Sequence, residues 1–232
     1  MKHLLPLVTA LSLAAAYPAA SQQNPVVVEL FTSQGCSSCP PADAMLEELA
    51  ERDDVIALAL HVDYWDYIGW EDPFGEAAHA DRQRAYAHTA GRRSIFTPEM
   101  IVQGETDIVG AKPMKLGKAI AEHAQRAAQV ELTLAREGNA LRIDATALEN
   151  LASPVTVHML RYTPHRTTEI ERGENQGKTL GYANIVEGWE VLGSWDPAAP
   201  LSMTSVLEGD KPVVVILQSK GTGPILAAQR LR

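Results

Sequence analysis

Cys36 and Cys39, the two cysteines of this 232-residue chain, lie between two stretches that have the pattern of buried β-strands. Residues 25–31, PVVVELF, and residues 55–62, VIALALHV, are β-branched and apolar, and the first ends at a Ser-Gln-Gly breaker. From Cys36 onward, apolar residues recur at three- and four-residue steps, which predicts a helix of about four turns that starts at the cysteine pair. Strand, helix and strand in this order predict a right-handed crossover between parallel strands.

The next part of the chain continues this α/β pattern after an interruption. Residues 64–93 are rich in aromatic and charged residues and indicate an insertion with a helix over about 75–90. Residues 98–103 and 105–109 predict two short strands joined by a tight turn, and residues 112–128 predict a further helix. The expected order is therefore β-α-β, a helical insertion and then β-β-α.

Beyond residue 128 the sequence changes to short alternating runs separated by glycine, asparagine or proline. Such runs are typical of an antiparallel sheet or a small sandwich. We therefore expect an α/β domain over residues 22–128, followed by an all-β domain over residues 129–232.

The N-terminus has the layout of a secretory signal peptide. Lys2 and His3 precede an apolar stretch at 4–16, and small residues follow up to Ser21. The stretch is shorter than the about 20 residues that a membrane-spanning helix needs. Residues 1–21 are therefore expected to be removed, which predicts a periplasmic or secreted protein without a membrane span in the mature chain.

The charge of the chain excludes one class of partner. The formal net charge is −9, and removal of Lys2 with the leader leaves 19 basic residues against 29 acidic ones. An acidic protein of this kind repels nucleic acid, so no nucleic-acid partner is expected.

A Cys-x-x-Cys pair at the start of a helix favours thiol–disulfide exchange. The helix N-terminus stabilises a thiolate on Cys36 and lowers its pKa, which makes this sulfur the nucleophile. Cys39, one turn later, would resolve the mixed disulfide. This chemistry needs no cofactor besides the redox-active disulfide itself.

Two other uses of the pair remain open. A structural zinc site needs four ligands, and the sequence has neither a second cysteine pair nor histidines at ligand spacing. A copper site formed by the two cysteines and a distant histidine, such as His61 or His88, is compatible with the spacing. An inert local disulfide is also compatible with export.

At this point the motifs resemble the thioredoxin fold. The resemblance rests on the strand before CSSC, the helix and parallel strand after it, and Thr97-Pro98 at the head of the later hairpin. In that superfamily a cis-proline lies against the cysteine pair, and the residue before it offers backbone groups to a bound substrate. The resemblance therefore implies these roles for Pro98 and Thr97.

The chain also resembles a secreted family known as domain of unknown function 1223. The resemblance rests on VVVELFTSQGCSSCPPAD at 26–43, HVDYWDYIGWEDPF at 61–74, FTPEMIVQG at 96–104 and RGENQGKTLGYANIV at 172–186. It implies a thioredoxin-like domain followed by an all-β part and names no substrate.

The sequence departs from ordinary thioredoxins near the cysteines. The spacer is Ser37-Ser38, which does not indicate the direction of electron flow. Where many thioredoxins keep a buried acid on the preceding strand, this chain has Leu30, and strand alternation directs Glu29 to the opposite face. Candidates for the proton acceptor of Cys39 are therefore His61 and Asp63, at the carboxyl end of the second strand.

Residues that contact a substrate are predicted in two segments. The aromatic residues after the second strand, Trp65 above all, are expected either to line a groove beside the cysteines or to pack the insertion. Arginines of the insertion, such as Arg82, are expected to meet solvent or an acidic partner. The polar segment 172–184 is unusually long for a connector, and Arg172, Glu174 and Asn175 are expected to approach Cys36.

These observations lead to one hypothesis and one alternative. The hypothesis is an exported thioredoxin-like thiol–disulfide oxidoreductase, or a thiol-binding protein derived from one. Its partners would be exported protein thiols or disulfides, or a redox partner protein. The alternative is a non-catalytic periplasmic module that binds copper or a protein and contains a structural disulfide.

Overall fold

The computed structural model of the protein describes residues 24–232. The predicted signal peptide lies outside these described residues. Within residues 24–232, no helix is both long and apolar enough to cross a membrane.

The described residues form three α-helices and eleven strands. The helices are α1 (Pro40–Ala50), α2 (Ala77–Thr89) and α3 (Pro113–Ala124). The strands are β1 (Val26–Thr32), β2 (Val55–His61), β3 (Glu99–Val102), β4 (Thr106–Val109), β5 (Val130–Glu137), β6 (Ala140–Ala147), β7 (Val155–Glu169), β8 (Thr179–Trp195), β9 (Leu201–Val206), β10 (Val213–Ser219) and β11 (Ile225–Leu231). A short 3-10 helix, Asp66–Ile68, follows β2.

Strands β1 to β4 are neighbours in one sheet. β1 pairs in parallel with β2 and antiparallel with β3, and β3 and β4 form a hairpin. At the hairpin turn, Gln103 and Gly104 have φ angles of 54° and 71°, as in the two-residue turns that match strand twist. A Cβ on Gly104 would lie 2.7 Å from the Gly223 carbonyl oxygen, so the turn requires glycine there. The predicted element order through residue 128 is confirmed.

Four strands of the C-terminal part extend this sheet. The large sheet has the order β11-β10-β7-β8-β2-β1-β3-β4, so four of its eight strands come from residues after 129. β8 joins β2 in parallel at Ala59 and Ile185. The expectation of a separate all-β domain was therefore wrong for the four strands that join the large sheet. The reason is that β2 is buried on both faces, and β8 pairs with the edge that β2 would otherwise expose.

The sandwich-like expectation holds for one end of the molecule. Strands β5, β6 and β9 form a second sheet, and its apolar side chains pack on those of β7, β10 and β11. Leu132 and Ile143 of the small sheet share this core with Val157 and Val215 of the large sheet. The fold is thus mixed α/β, with a large sheet and a second sheet.

Helices cover both faces of the first half of the large sheet. Leu30 and its neighbours on one face pack against α1 and α3, while Val27 and Phe31 on the other face pack with Tyr86 of α2. Glu29 lies on the α2 side, as strand alternation predicted. The cysteine pair lies at the end of β1, where it enters α1.

Helix α1 starts four residues later than its periodicity predicted. Cys36 N–H donates to the Ser33 carbonyl and Cys39 N–H donates to the Cys36 carbonyl, so two consecutive turns precede the helix. Pro40 and Pro41, which lack N–H donors, occupy the first helical positions, where no intrahelical donor is needed. Cys36 therefore lies one turn ahead of the helix, and Cys39 is its N-cap residue.

The polar segment 172–184 is only partly a loop. β7 and β8 form a long antiparallel hairpin, and the pairing reaches Glu169 and Thr179 at its tip. Residues 170–178 form the loop between β7 and β8, so only residues 172–178 of the polar segment lie outside the strands. Thr179 to Asn184 belong to β8: residues 179 to 183 each pair with a residue of β7, and Tyr182 and Asn184 are buried.

Candidate functional site

Cys36 and Cys39 form a disulfide at the junction of β1 and α1. Cys36 is 1% exposed and Cys39 is fully buried, whereas Ser37 and Ser38 between them are exposed. The turn backbone therefore faces solvent and the sulfurs lie beneath it. Any reaction at this disulfide requires the surrounding cover to admit a second sulfur.

Thr97 and Pro98 lie beside the turn that carries the disulfide. The Thr97–Pro98 peptide bond is cis. Phe31 of β1 pairs with Glu99 of β3, and continuation of this antiparallel register places Pro98 and Thr97 next to Thr32 and Ser33. The register thus places Thr97 and Pro98 at the end of β1, where the disulfide turn begins.

Trp65 connects the two sides of this site. Its indole N–H donates to Thr97 Oγ1 over 2.7 Å. On the other side, a Cβ added to Gly35 would lie 3.2 Å from Trp65 Cβ and 3.3 Å from Ile68 Cδ1, so glycine allows this segment to close on the turn. Tyr67 stacks on Trp65 and is 81% exposed.

Most of the other aromatic residues of the insertion pack internally. Tyr64 donates to Gln83 of α2, Trp70 donates to the Gln34 side chain, and Phe74 packs edge-on against His61. Of the two expectations for this segment, packing holds for these three residues. Trp65 and Tyr67 form the part that borders the disulfide turn and reaches solvent.

His61 forms a buried pair with an aspartate that the sequence pattern did not single out. His61 Nδ1 lies 2.7 Å from Asp72 Oδ2, and both side chains are fully buried. The same Asp72 oxygen accepts from Gln34 N–H over 2.8 Å, which ties the pair to the disulfide turn. Asp63, the other predicted proton acceptor, is half-buried at the start of the 3-10 turn, where its backbone carbonyl accepts from Asp66.

Asp43 is the buried acid next to Cys39. It lies one helical turn after Cys39, its N–H donates to the Cys39 carbonyl, and its Oδ1 accepts from Thr32 Oγ1 over 2.7 Å. Burial raises the pKa of Asp43 to about 7, although the charge of His61 and the Thr32 hydrogen bond lower it. Asp72 and Glu47 raise it further. At neutral pH this carboxyl is able both to take up and to release a proton.

Asp43, His61 and Tyr182 each carry a buried polar atom that is unpaired in the described part of the chain. Asp43 Oδ2, His61 Nε2 and Tyr182 Oη have no protein hydrogen-bond partner among residues 24–232. The His61 and Tyr182 rings lie 4.9 Å apart, and burial together with the charges of Asp43 and Asp72 raises the pKa of Tyr182. Unpaired polar atoms are unusual in a protein interior, so these three residues retain hydrogen-bonding capacity that the described residues do not use.

Asn175 is the one residue of its predicted group that reaches the site. Its side-chain amide donates to the Gln34 and Cys36 carbonyls over 2.9 and 3.0 Å, and the residue is 1% exposed. Arg172 and Glu174, in the same loop, are exposed. The prediction that this segment approaches Cys36 across the chain therefore holds for Asn175.

Arg82 proved to be part of the protein interior. It forms two hydrogen bonds to Glu29, which is fully buried, and its guanidinium lies 4.0 Å over the Trp189 ring. Tyr86 also donates to Glu29. The expectation of a solvated or partner-binding Arg82 was wrong, because β1 directs a carboxylate towards this helix.

His61 and His88, the two histidines considered as copper ligands, lie in different environments. His61 already uses Nδ1 on Asp72, and His88 is exposed on α2. In the described part of the chain, no three His, Cys, Asp or Glu side chains are grouped as a metal site would require.

Asp43 had a signal that sequence reasoning missed. It falls on the stripe formed by Cys39, Ala42, Leu46 and Leu49, which faces the core, and a charged residue on such a stripe is unusual. Asp72 and Tyr182 had no comparable signal, because only the folding of two distant segments brings them to His61.

The comparisons with known proteins concern family and fold. The chain matches a family described as protein of unknown function (DUF1223) over residues 27–218. A structural-genomics protein from Agrobacterium tumefaciens is similar, with 28% identity and a TM-score of 0.78 over 91% of this chain and 96% of that one. HBP35 of Porphyromonas gingivalis is similar in fold, with 16% identity and a TM-score of 0.61 over 90% of this chain and 75% of that one. Comparison with curated proteins found no match. Since the family match spans most of the chain, this protein belongs to the DUF1223 family.

Proposed function

We propose that this protein is an exported thiol–disulfide oxidoreductase whose first half is thioredoxin-like. The observation that carries the proposal is the Cys36–Cys39 disulfide at the β1–α1 junction, with Thr97 and Pro98 beside the end of β1. The strand order β2-β1-β3-β4, with α1 and α3 on one face and α2 on the other, supports the thioredoxin-like assignment of residues 22–128. The leader-like sequence of residues 1–21 supports export.

The first step joins the protein to its partner. In the reduced protein, the Cys36 thiolate attacks one sulfur of a partner disulfide, and a bond forms between Cys36 Sγ and that sulfur. The partner's own S–S bond breaks, and its second sulfur leaves as a thiolate that takes a proton from solvent. Backbone groups of Thr97, next to Pro98, align the partner strand.

The second step releases the partner. Cys39 loses its proton to the Asp43 carboxylate and attacks Cys36 Sγ, so the Cys36–Cys39 bond forms and the bond to the partner breaks. The partner sulfur leaves as a thiolate and takes up a proton, which Asp43 can return. Two electrons thereby pass from the cysteine pair to the partner. The same steps in reverse oxidise a partner dithiol.

Asp43 suits this role better than His61 or Asp63. Helical side chains lean towards the helix N-terminus, which directs the Asp43 carboxyl towards Cys39. Oδ2 of Asp43 is buried without a protein partner, and a pKa of about 7 leaves the carboxyl partly ionised at neutral pH. His61 is instead paired with Asp72 through Nδ1.

Trapping tests the proposal. In a Cys39→Ser variant the resolving thiol is missing, so exported partner proteins should accumulate as mixed disulfides through Cys36 and separate on addition of reductant. The matched control is Cys36→Ser, which keeps a single cysteine but should trap at least about tenfold less, because in the proposed mechanism Cys36, and not Cys39, attacks the partner disulfide. Equal and negligible trapping by both variants, together with no acceleration of exchange on model disulfides, would overturn the proposal.

A protein-binding module with a structural disulfide is the second candidate. Its support is the burial of both sulfurs, at 1% and 0% exposure. The reduction potential of the Cys36–Cys39 couple separates the two candidates. A structural bridge should lie below about −300 mV, whereas an exchange-active pair should lie between about −270 mV and −120 mV.

A further inference from the structure

The turn that carries the disulfide is bordered by two other segments of the chain. Trp65 and Ile68 lie against Gly35 on one side. On the other side, Asn175 holds the Gln34 and Cys36 carbonyls with its side-chain amide. Exchange needs a sulfur to approach Cys36 Sγ directly, and a residue that is 1% exposed does not allow this approach while the cover is closed.

The two sides of the cover are held differently. Trp65 belongs to a segment with several packed aromatic rings and a hydrogen bond to Thr97. The loop that carries Asn175, residues 170–178, has only Ile170 and Asn175 buried. Loops with few buried contacts open first. The Asn175 side is therefore the part of the cover that opens most readily.

The loop is also built to move as a unit. Two backbone hydrogen bonds close its base: Ile170 N–H donates to the Lys178 carbonyl, and Gly177 N–H donates to the Ile170 carbonyl. Inside the loop, Lys178 Nζ donates to Asn175 Oδ1 over 2.8 Å. These bonds stay intact when the loop swings out, whereas the two bonds from Asn175 to the disulfide turn are lost.

The loop additionally contacts the segment on the other side. Gly173 has a φ of 77°, and a Cβ there would lie 3.3 Å from Trp70 Cβ. Trp70 in turn donates to the Gln34 side chain over 2.9 Å. Gln34 is thus held at its carbonyl by Asn175 of the loop, at its N–H by Asp72, and at its side chain by Trp70 and Thr168.

We infer that the 170–178 loop is a latch, in which Asn175 holds the disulfide turn closed and release of Asn175 opens Cys36 to a partner sulfur. Asn175 is then a positioning residue, and not the substrate-binding residue expected from the sequence. The latch belongs to the C-terminal half of the chain, so that half regulates access to a disulfide carried by the first half. This inference rests on the proposed exchange function for its biological use, although access itself is a property that a chemical reductant measures.

The test is the rate at which tris(carboxyethyl)phosphine reduces the disulfide of the full chain, followed by alkylation of the freed thiols. Asn175→Ala should be reduced at least about tenfold faster than wild type, since both bonds to the turn are lost. The matched control is Asn184→Ala in β8. Asn184 is also a buried asparagine whose amide donates to a backbone carbonyl, that of Ala57, but this carbonyl belongs to β2.

The control separates local opening from general loss of stability. Asn184 has a φ of 47°, a conformation that alanine disfavours, so Asn184→Ala should unfold at least as easily as Asn175→Ala. Its disulfide should nevertheless be reduced within about twofold of the wild-type rate, because the latch is intact. Equal reduction rates for Asn175→Ala and wild type, or equal acceleration in both variants, would overturn the latch.

Hydrogen exchange of the wild-type protein tests the latch without a variant. The Gln34 and Cys36 amides, in the turn that the latch holds closed, should exchange at least about a hundredfold faster than the β7–β8 amides that open only with global unfolding. Exchange of both sets at one rate would contradict a separate opening of the turn. Neither measurement needs a partner, so a failed latch is distinguishable from failed trapping by Cys39→Ser, which overturns the exchange function alone.

Discussion

Replacing Asp43 with asparagine is expected to stabilise the folded protein at pH 8 and to slow the resolving step of exchange. The Asp43 carboxyl is buried, and its pKa rises from 3.8 to about 7 on folding. An asparagine of nearly the same shape keeps the acceptor for Thr32 Oγ1 and carries no charge that burial would penalise. The variant thus removes a destabilising group and a proton acceptor together.

The effect on stability should depend on pH in a defined window. Between about pH 4 and pH 7 the folded wild type keeps the proton on Asp43 and the unfolded chain has lost it, so wild-type stability falls as pH rises through this window. The asparagine variant has no such fall. The free energy of unfolding of the two proteins should be similar at pH 4 and should differ by up to roughly 4 kcal/mol at pH 8.

Urea unfolding at several pH values measures this difference. The groups that face Asp43, which are His61, Asp72, Glu47 and Tyr182, are present in both proteins and therefore cancel in the comparison. Glu48→Gln, on the exposed face of the same helix, is the control and should show no pH-dependent difference from wild type. A difference between Asp43→Asn and wild type that is the same at pH 4 and pH 8 would contradict the buried, shifted carboxyl.

The kinetic part of this prediction concerns the second step alone. Resolution of a preformed mixed disulfide on Cys36 should accelerate in wild type as the Asp43 carboxyl ionises near pH 7, and this inflection should be absent in Asp43→Asn. Formation of the mixed disulfide by Cys36 should change much less. A variant that keeps the inflection would assign the proton of Cys39 to another group.

Replacing Arg82 with methionine is expected to destabilise the protein by about 3–5 kcal/mol. Arg82 makes two hydrogen bonds to Glu29, at 2.6 and 3.1 Å, and Glu29 is fully buried in the centre of β1. Methionine keeps most of the apolar volume under Trp189 but leaves Glu29 without its cation. The large effect comes from this uncompensated carboxylate.

Two further variants separate the charge from the packing. Arg84→Met, on the same helix and with its partner Asp81 exposed, should change stability by less than about 1 kcal/mol. The double variant Glu29→Gln with Arg82→Met should recover roughly half or more of the stability lost in Arg82→Met, since neither position then carries a charge. Equal losses for Arg82→Met and Arg84→Met in chemical unfolding would show that the pair contributes little.

The first half of the fold was predictable because each of its main strands and helices has a recognisable local pattern in the sequence. The apolar runs around PVVVELF and VIALALHV are long enough to define buried strands, and the order of elements defines parallel pairing. The start of α1 was missed by four residues because apolar periodicity continues through the turn at Cys36. Hydrogen bonds of the turn and two prolines, not periodicity, decide where this helix begins.

The second half was predictable only as strands. Alternation identifies which residues of β7 and β8 form a sheet but not which sheet they join. Pairing of Ile185 with Ala59 depends on the free edge of β2, more than a hundred residues earlier in the chain. Local sequence patterns therefore could not predict how the two halves join.

The sequence by itself determined the cysteine pair, its place after a buried strand and the family of the chain, because these depend on contiguous motifs. The tertiary structure alone decided which groups surround the disulfide. Asp72, Tyr182 and Asn175 come from three separate segments: Asp72 and Asn175 bond to the disulfide turn, and Tyr182 packs on His61. Burial, proton affinity and access depend on such distant neighbours, so these properties of the site belong to the fold.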